Sequence, residues 1–320
     1  MMGRITTGLI ALAATSLLIG DGTLARPDAL ILLEIRLPRT LLAVLIGGGL
    51  GLSGAALQGA LRNRLADPGL LGVTGSAGLG SAVVFYWGLA AGFTPALPLG
   101  GLVGAGIGTA LLLGFAGRTA SGPALILAGV AVSALASALL ALALSLAPNP
   151  FALAEITFWL LGGLQDRTLT HLALAAPPLL LGSFVLLRLG PGLDALSLGE
   201  DTAASLGQPA HRTLVRTAIG TALTAGASAA VAGGIGFVGL AVPHLLRPLL
   251  GERPGGLLTG SFLGGAALLL AADMVTRLLP LFLPQAPPLG VLTALIGAPF
   301  LIVAARDPRS SAASMHNEEM

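Results

Sequence analysis

Two arginines and one acid–arginine pair offer the first chemistry in this sequence. Arg36 and Arg39 flank a proline ahead of an apolar run, and Asp273 precedes Arg277 by one helical turn. A guanidinium presents forked N–H donors that fit a carboxylate, and an acid four residues before an arginine can form an intrahelical ion pair. The three arginines could therefore dock acidic groups of a partner, or alternatively contact lipid headgroups. We interpret Asp273 as a support for Arg277 rather than a proton relay, because no chain of further acids accompanies it.

A polar turn closes the apolar run that begins at Arg39. It contains Gln58, Asn63, Asp67 and Pro68. An aspartate before a proline is typical of a turn or a helix cap. We expect these residues to fix the shape of the connecting loop.

A third polar segment extends from residue 198 to residue 207. Glu200, Asp201, Leu206 and Gly207 belong to it, and glycines stand at both of its ends. This pattern predicts a short helix with glycine caps. The alternative is an ordinary charged loop without a docking role.

Catalytic and metal chemistry is not indicated. The chain has no cysteine and no lysine, so it lacks a thiol nucleophile, a Schiff-base lysine and a phosphate-binding GxxxxGK[ST] loop. The histidines follow no metal-binding spacing, and His244 after Pro243 is expected to be a hydrogen-bonding residue at a helix break. We therefore predict no catalytic residue, no metal site and no bound cofactor, with any ATP and Mg²⁺ held by a separate polypeptide.

The composition is that of a membrane protein. Hydrophobic residues make up 55% of the chain and charged residues 9%, and the mean hydropathy is +0.93. So little polar surface cannot cover a water-soluble globule. The net charge is only +2 and the arginines are scattered, which argues against nucleic-acid binding.

Hydropathy, read against glycine, proline and charge breaks, predicts an all-α polytopic protein with ten spans in one transmembrane domain, residues 1–320. The eighth span is short and contains Pro243. The predicted spans are residues 5–20, 38–61, 71–91, 98–116, 124–147, 170–189, 213–232, 236–249, 258–278 and 289–305.

Other segments are expected to remain outside the spans. We predict a short helix at the outer face of the membrane in residues 151–164. We also predict a cytoplasmic segment in residues 190–212 and a cytoplasmic tail in residues 306–320. The first apolar run could be a cleaved signal sequence or a retained span. We favour the retained span because no soluble domain begins after it.

The distribution of arginine predicts the orientation in the membrane. With both termini cytoplasmic, the outer side carries a minority of the arginines, namely Arg26, Arg36, Arg39, Arg167 and Arg277. Tyr86-Trp87 and Phe158-Trp159 then fall at the outer interface, where amphipathic rings prefer to lie.

Glycine spacing predicts close helix packing. The pairs Gly47/Gly51 and Gly260/Gly264, and the series Gly100/Gly104/Gly108, place small residues on one helix face. A weak internal repeat links Arg39-Thr-Leu with Arg212-Thr-Leu, with Gly47 and Gly220 at equal distances from them. Five spans separate the two copies, as in an inverted repeat.

Three ordered blocks carry a family resemblance. The chain resembles the FecCD- and BtuC-like permeases, the membrane subunits of bacterial ABC importers for ferric siderophores, haem and cobalamin. The blocks are Arg36-Leu-Pro-Arg39 through Arg62-Asn-Arg-Leu-Ala-Asp67-Pro68-Gly-Leu-Leu-Gly72; Gly233-Gly-Ile-Gly236-Phe-Val-Gly239-Leu-Ala-Val-Pro243-His244-Leu-Leu-Arg247; and Asp273-Met-Val-Thr-Arg277 with Gly290-Val-Leu-Thr-Ala-Leu-Ile-Gly297-Ala-Pro299-Phe300.

The resemblance implies partners and residue roles. It implies a bacterial inner-membrane permease that pairs with itself or a homologous permease, above a cytoplasmic ATPase dimer and below a substrate-binding protein. Arg36, Arg39 and Arg277 would dock glutamates of the binding protein, and Glu200, Asp201, Leu206 and Gly207 would form the coupling helix pair seated on the ATPase. Structural or gating roles fall to Gln58, Asn63, Asp67, Pro68, Gly236, Pro243 and Asp273.

The sequence leaves alternatives open for both the cargo and the mechanism. Ferric siderophore is the commonest cargo class of the resembled family, with cobalamin and haem as alternatives. The chain departs from the family pattern at Arg64, where a proline is usual, at Gly234, and at Ala286-Pro287-Pro288, where an outward acid is lost. An ion-coupled secondary transporter would need midplane ionisable residues, and a membrane-embedded enzyme would need a paired catalytic group.

Overall fold

The computed structural model describes residues 2–20, 23–24, 28–87, 95–117, 121–284 and 286–305. The regular secondary structure of this part of the chain is helical apart from an antiparallel pair of two-residue strands, β1 (Ile19–Gly20) with β2 (Thr23–Leu24). A π-helical turn, Leu32–Arg36, joins α2 to α3, and 3-10 turns occupy Pro68–Leu71 and Leu279–Leu281. The helices are α1 (Met2–Leu18), α2 (Ala29–Ile31), α3 (Leu37–Ala60), α4 (Val73–Tyr86), α5 (Ala96–Ala116), α6 (Gly122–Ser145), α7 (Pro150–Leu160), α8 (Leu169–Leu187), α9 (Gly190–Leu196), α10 (Glu200–Ser205), α11 (Ala210–Ala232), α12 (Val238–Leu250), α13 (Pro254–Leu278) and α14 (Leu289–Ala305).

The predicted spans agree with the helices. Among the described residues, six helical stretches are long and apolar enough to cross a membrane: 29–60, 96–116, 122–145, 169–187, 210–232 and 254–281. The other four predicted spans correspond to shorter apolar helices, α1, α4, α12 and α14. The short helix predicted within 151–164 is α7, and the end of the third predicted span, beyond residue 87, lies outside the described residues, as does the predicted tail 306–320.

Local sequence signals start these helices. Asn149 accepts a hydrogen bond from the Ala152 N–H at 2.9 Å, with Pro150 at the first helical position of α7. Thr168 and His171 form a capping box at the start of α8, in which the His171 ring accepts from the Thr168 N–H. His171 therefore has a structural role as a helix cap.

α3 is the central helix of the bundle and packs against α8, α11, α12 and α13. Its crossing with α13 depends on glycine, because a Cβ at Gly47 or Gly51 would overlap the backbone of α13 at Gly265 or Ser261. A Cβ at Gly104 of α5 would likewise overlap Ser76 of α4. The predicted close packing on these two glycine faces is confirmed, whereas Gly260 and Gly264 face side chains of α12.

α3 and α11 run in opposite directions. The Ser53 hydroxyl of α3 contacts the Thr224 hydroxyl of α11, and Ala60 at the end of α3 packs in one cluster with Leu214 near the start of α11. This is the relative orientation that the predicted inverted repeat requires.

The helix break predicted at Pro243 and His244 is wrong. α12 continues through Pro243 and Pro248. Pro243 has no N–H, so the carbonyl of Gly239, four residues earlier, loses its usual donor. The Gln58 side chain of α3 donates to that carbonyl at 3.4 Å, so a neighbouring helix satisfies the acceptor and α12 stays intact.

Candidate functional site

A buried cluster of two arginines and one aspartate lies at one end of the bundle, the Arg39 end. The Arg39 Nε donates to both carboxylate oxygens of Asp273, at 3.0 and 3.1 Å. The Arg277 Nε donates to the same carboxylate at 2.9 Å, which confirms the predicted intrahelical pair. Asp273 is fully buried, so one carboxylate joins the start of α3 to the end of α13.

Two arginines, Arg36 and Arg277, also donate hydrogen bonds to backbone carbonyls at the end of α1. Arg36 donates to the Leu17 carbonyl at 2.9 Å, and Arg277 donates to the carbonyls of Ser16 and Ile19 at 3.0 and 3.2 Å. Cations are favourable there, because the last carbonyls of a helix have no intrahelical donor and carry its negative dipole end. Arg36 and Arg277 therefore fasten α1 to the bundle, and Arg39 is tied to Arg277 through Asp273.

The predicted docking arginines are thus largely enclosed by their own chain. Arg36, Arg39 and Arg277 are 8%, 5% and 2% exposed. The sequence indicated their position together at one end and the Asp273–Arg277 pair, but it did not indicate the bond from Arg39 to Asp273 or the bonds to the end of α1. Their docking role stays a prediction.

Arg39 also lines a cavity of about 510 Å³ that opens at this end. A neighbouring cavity of about 360 Å³ shares Arg39, Gln165, Asp166 and Arg167 with it. The Arg167 Nε is buried with no hydrogen-bond partner among the described residues. Burial lowers the pKa of Arg167, and the nearby Asp166 opposes that change. Arg167, which the sequence placed only among the outward arginines, is a cation turned toward these cavities.

Glycines form a junction of irregular backbone beside the larger cavity. The Gly163 N–H donates to the Ala232 carbonyl at 2.8 Å, and the Gly290 N–H donates to the Gly162 carbonyl at 3.2 Å. Gly233 has a φ of +70°, and a Cβ on it would overlap the Trp159 carbonyl. Gly236, to which we assigned a structural role, is exposed with open space around it, so packing does not explain a glycine there.

Gln58 forms a second junction at the opposite end of the bundle, the Gln58 end. The Arg247 side chain donates to the Gln58 Oε1 at 2.6 Å, and the Gln58 amide donates to the carbonyls of Ala66 and Gly239, each at 3.4 Å. A Cβ at Gly54, one turn earlier on α3, would overlap the Gly239 carbonyl. Gln58 therefore connects α3, α12 and the loop after α3.

Asn63, Asp67 and Pro68 shape that loop as predicted. Asn63 accepts from the Leu65 N–H at 2.9 Å, and Asp67 accepts from the Gly69 N–H at 2.8 Å and caps the 3-10 turn that Pro68 begins. Burial raises the pKa of Asp67, and the Gly69 hydrogen bond opposes that rise.

Ion pairs connect this loop to the other elements at the Gln58 end. Arg64 lies 3.1 Å from Glu252, which also lies 3.7 Å from Arg247. Arg62 lies 3.5 Å from Glu200 of α10. The sequence offered no signal for the Arg62–Glu200 and Arg64–Glu252 pairs, because their members are 138 and 188 positions apart along the chain.

The predicted coupling residues lie together on a projection formed by α9 and α10. The two glycine caps are confirmed, since Gly199 and Gly207 both have positive φ. Buried Ala203 of α10 packs against Ala195 and Leu196 of α9, whereas Glu200, Asp201, Leu206 and Gly207 are exposed. Leu206 is 60% exposed, as expected of a surface that another protein could cover.

Asp194 fixes this projection to the bundle. Its carboxylate accepts from the Gly255 N–H at 2.7 Å in the first turn of α13 and lies 3.1 Å from the Arg253 guanidinium. A carboxylate at a helix N-terminus is favourable there. A movement of α9 would therefore be transmitted to α13, the helix that carries Asp273 at its other end.

Comparisons with known proteins agree with this arrangement. Residues 5–307 match the model of the FecCD transport family. The ferric enterobactin transport system permease protein FepD of Escherichia coli is 37% identical, covering 93% of this chain and 92% of the relative. The hemin transport system permease protein HmuU of Yersinia pestis is 37% identical (87% and 84%), and the vitamin B12 import system permease protein BtuC of Salmonella paratyphi A is 40% identical (88% and 85%).

One solved structure is similar over almost the whole chain. It is an inward-facing conformation of a metal-chelate type ABC transporter, with a TM-score of 0.81 and 35% identity over 95% of this chain and 97% of the other.

Proposed function

Because this chain belongs to the FecCD transport family, as a permease of a metal-chelate type ABC importer, we propose that its cargo is a ferric siderophore carried into the cytoplasm. A separate ATPase drives the transport and a substrate-binding protein delivers the cargo. The observation that carries the proposal is the pairing of an exposed projection at the Gln58 end with open cavities at the Arg39 end, where Arg39 and Arg167 lie beside Asp166. Each end offers one partner a surface.

The choice of siderophore is supported by the extent of the alignment with FepD, which covers more of both proteins than the alignments with HmuU and BtuC. Cobalamin is the second candidate, since the identity to BtuC is higher, at 40%. Haem is the third candidate.

The binding protein docks at the Arg39 end through acidic side chains. A carboxylate entering the cavities would meet Arg39 and Arg167. Arg36 and Arg277 hold the end of α1 beside this entry, and Asp273 holds Arg39 and Arg277 in register. In this proposal Arg36 and Arg277 shape the entry as internal fasteners, and Arg39 and Arg167, which line the cavities, are the cations that the partner's acids meet.

The ATPase dimer binds the projection at the Gln58 end. Closure of the ATPase would move α10 and α9, and the Asp194–Gly255 bond would pass that movement to α13. A homodimer, or a pair with a homologous permease, encloses the translocation path in the inner membrane, with both termini cytoplasmic.

The experiment measures uptake of radiolabelled ferric siderophore, cobalamin and haem by cells with and without this gene, each with and without the ATPase gene. Siderophore uptake that needs both genes supports the proposal. Uptake of only cobalamin or haem would overturn the cargo assignment. Uptake that needs the permease but not the ATPase would indicate an ion-coupled transporter instead.

A further inference from the structure

A small cationic cavity lies at the Gln58 end, beside the projection. Its volume is about 260 Å³, and it lies between the end of α8, the start of α9 and the start of α11. Three arginines line it: Arg188, Arg212 and Arg216. The roles described above for the two ends of the bundle use none of them.

The charge of this cavity is not balanced within the described chain. No aspartate or glutamate lines it, and none of the three arginines forms an ion pair with a described acid. Arg212 and Arg216 are one helical turn apart on α11, so they share a face. The first turn of α11 also lines the cavity and adds the positive end of its dipole. The cavity therefore favours an anion.

The apolar surroundings indicate which anion. Arg188 directly follows α8, and its guanidinium lies 4.8 Å from the centre of the Phe184 ring. The exposed face of α8 above it carries Leu180, Leu181 and Phe184. An occupant with a charged head in the cavity could thus lay an apolar chain along α8.

We propose that this cavity binds the phosphate headgroup of an anionic phospholipid, with an acyl chain along α8. Basic pockets between spans at the membrane surface fit such headgroups. The volume is below the roughly 300–1,000 Å³ of clefts that hold drug-sized ligands, so a nucleotide fits poorly. The proposal does not depend on the cargo or on ATP-driven import.

The test compares two charge-matched variants. One is Arg188→Gln/Arg212→Gln/Arg216→Gln. The control is Arg4→Gln/Arg62→Gln/Arg64→Gln, which removes three exposed arginines from the same end. A third variant with lysine at 188, 212 and 216 keeps the charge. Native mass spectrometry then counts phosphatidylglycerol retained by detergent-purified protein in competition with phosphatidylcholine.

We expect the wild type, the control and the lysine variant to retain phosphatidylglycerol, and the cavity variant to bind it on the order of 100-fold more weakly, because only the cavity variant loses the three arginines that contact the headgroup. Equal retention by the cavity variant and the control would overturn the proposal. Binding of inorganic phosphate without retention of lipid would overturn it in favour of a phosphate site. Co-elution of the ATPase with the same variants is also measured. If the cavity variant retains lipid as the wild type does but no longer co-elutes with the ATPase, the lipid proposal is wrong and the cavity binds an acidic segment of the ATPase.

Discussion

At the scale of single residues, Asp273 binds one arginine more than the single partner, Arg277, that the sequence predicted for it. Its carboxylate binds two guanidinium groups, one from its own helix and one from α3. Burying a charge is costly unless hydrogen bonds and opposite charge compensate it. Two arginines against one acid leave one positive charge in excess, and the carbonyls of Ser16 and Ile19 accept further hydrogen bonds from Arg277. Asp273 is therefore the centre of the cluster.

Asp273→Asn should destabilise the protein by about 3–5 kcal/mol, because removing one partner leaves the arginines buried and uncompensated. Thermal unfolding in detergent measures this. Glu252→Gln is the matched control, since that acid also contacts two arginines but is 66% exposed, and it should cost about 0–1 kcal/mol. Equal effects of the two substitutions would contradict a special role of Asp273.

Gln58 compensates for Pro243, and a double-mutant cycle can measure this. Gln58→Leu removes the donor to the Gly239 carbonyl and should cost about 1–3 kcal/mol. Pro243→Ala supplies a backbone N–H to that same carbonyl. We therefore expect Pro243→Ala to stabilise the Gln58→Leu protein more than it stabilises the wild type. Additive effects on the unfolding temperature would show that the two residues are not coupled.

Asp67 should make stability depend on pH. Burial raises the pKa of Asp67 in the folded state, so burying the charged carboxylate lowers the stability of the protein. This loss of stability is complete at a pH above the folded-state pKa. It is absent at a pH below the unfolded-state pKa of about 3.9, where the group is protonated in both states. Asp67→Asn keeps the acceptor for Gly69 without the charge. It should be more stable than the wild type at pH 7, and the difference should disappear toward pH 4. A difference that stays constant with pH would refute the burial effect.

At the scale of helices and loops, the sequence predicted what is local. Apolar length and glycine or proline breaks indicated the helices, and spacing indicated the Asp273–Arg277 pair and the Asp67 cap. Pairs across the bundle could not be predicted, because Arg39 and Asp273 are 234 positions apart and Gln58 and Gly239 are 181 apart. Such contacts depend on which helices cross and where.

The break expected at Pro243 failed for the same reason. Proline removes a donor locally, and from sequence that favours a broken helix. The replacement donor, Gln58, comes from another helix brought close by the Gly54–Gly239 contact. A proline in a packed span therefore indicates either a helix break or a neighbouring helix that donates a hydrogen bond to the carbonyl four residues earlier.

The projection of α9 and α10 can be tested as an element. Leu206→Asp places a charge on its exposed apolar tip and should weaken ATPase binding at least tenfold, because an apolar contact is lost and a charge is desolvated. Stability should change by less than about 0.5 kcal/mol, since the site is exposed. Co-elution with the ATPase measures binding. Leu65→Asp is the control, as Leu65 is 58% exposed on a loop at the same end. Unchanged ATPase binding by Leu206→Asp would remove this projection from the coupling surface.

At the scale of the whole molecule, the charged clusters of the described residues lie at the two ends of the bundle, and small residues pack the helices between them. Glycine contacts on α3, α5 and α13 give close backbone packing without polar groups. The clusters at the Arg39 end and the Gln58 end share α3 and α13, which run between them. A force at either end therefore reaches the other through two helices that pack tightly along their length.

The proposed docking of the substrate-binding protein at the Arg39 end can be tested by reversing one charge. Arg167→Glu should lower affinity for the binding protein at least tenfold, because it turns a cation beside the cavities into an acid that repels a carboxylate. Arg39 is unsuitable for this test, since its reversal would place two acids together in the buried cluster. Arg167 lacks those bonds, and so its reversal separates recognition from stability.

The measurement is binding of the substrate-binding protein to permease in nanodiscs at low and high salt. Wild-type affinity should fall as salt screens the attraction, and the Arg167→Glu affinity should depend on salt less steeply. Arg4→Glu, an exposed reversal on α1, should behave as the wild type. If Arg167→Glu binds as tightly as the wild type and with the same salt dependence, Arg167 does not recognise a partner and the proposed docking through the cavities at this end is wrong.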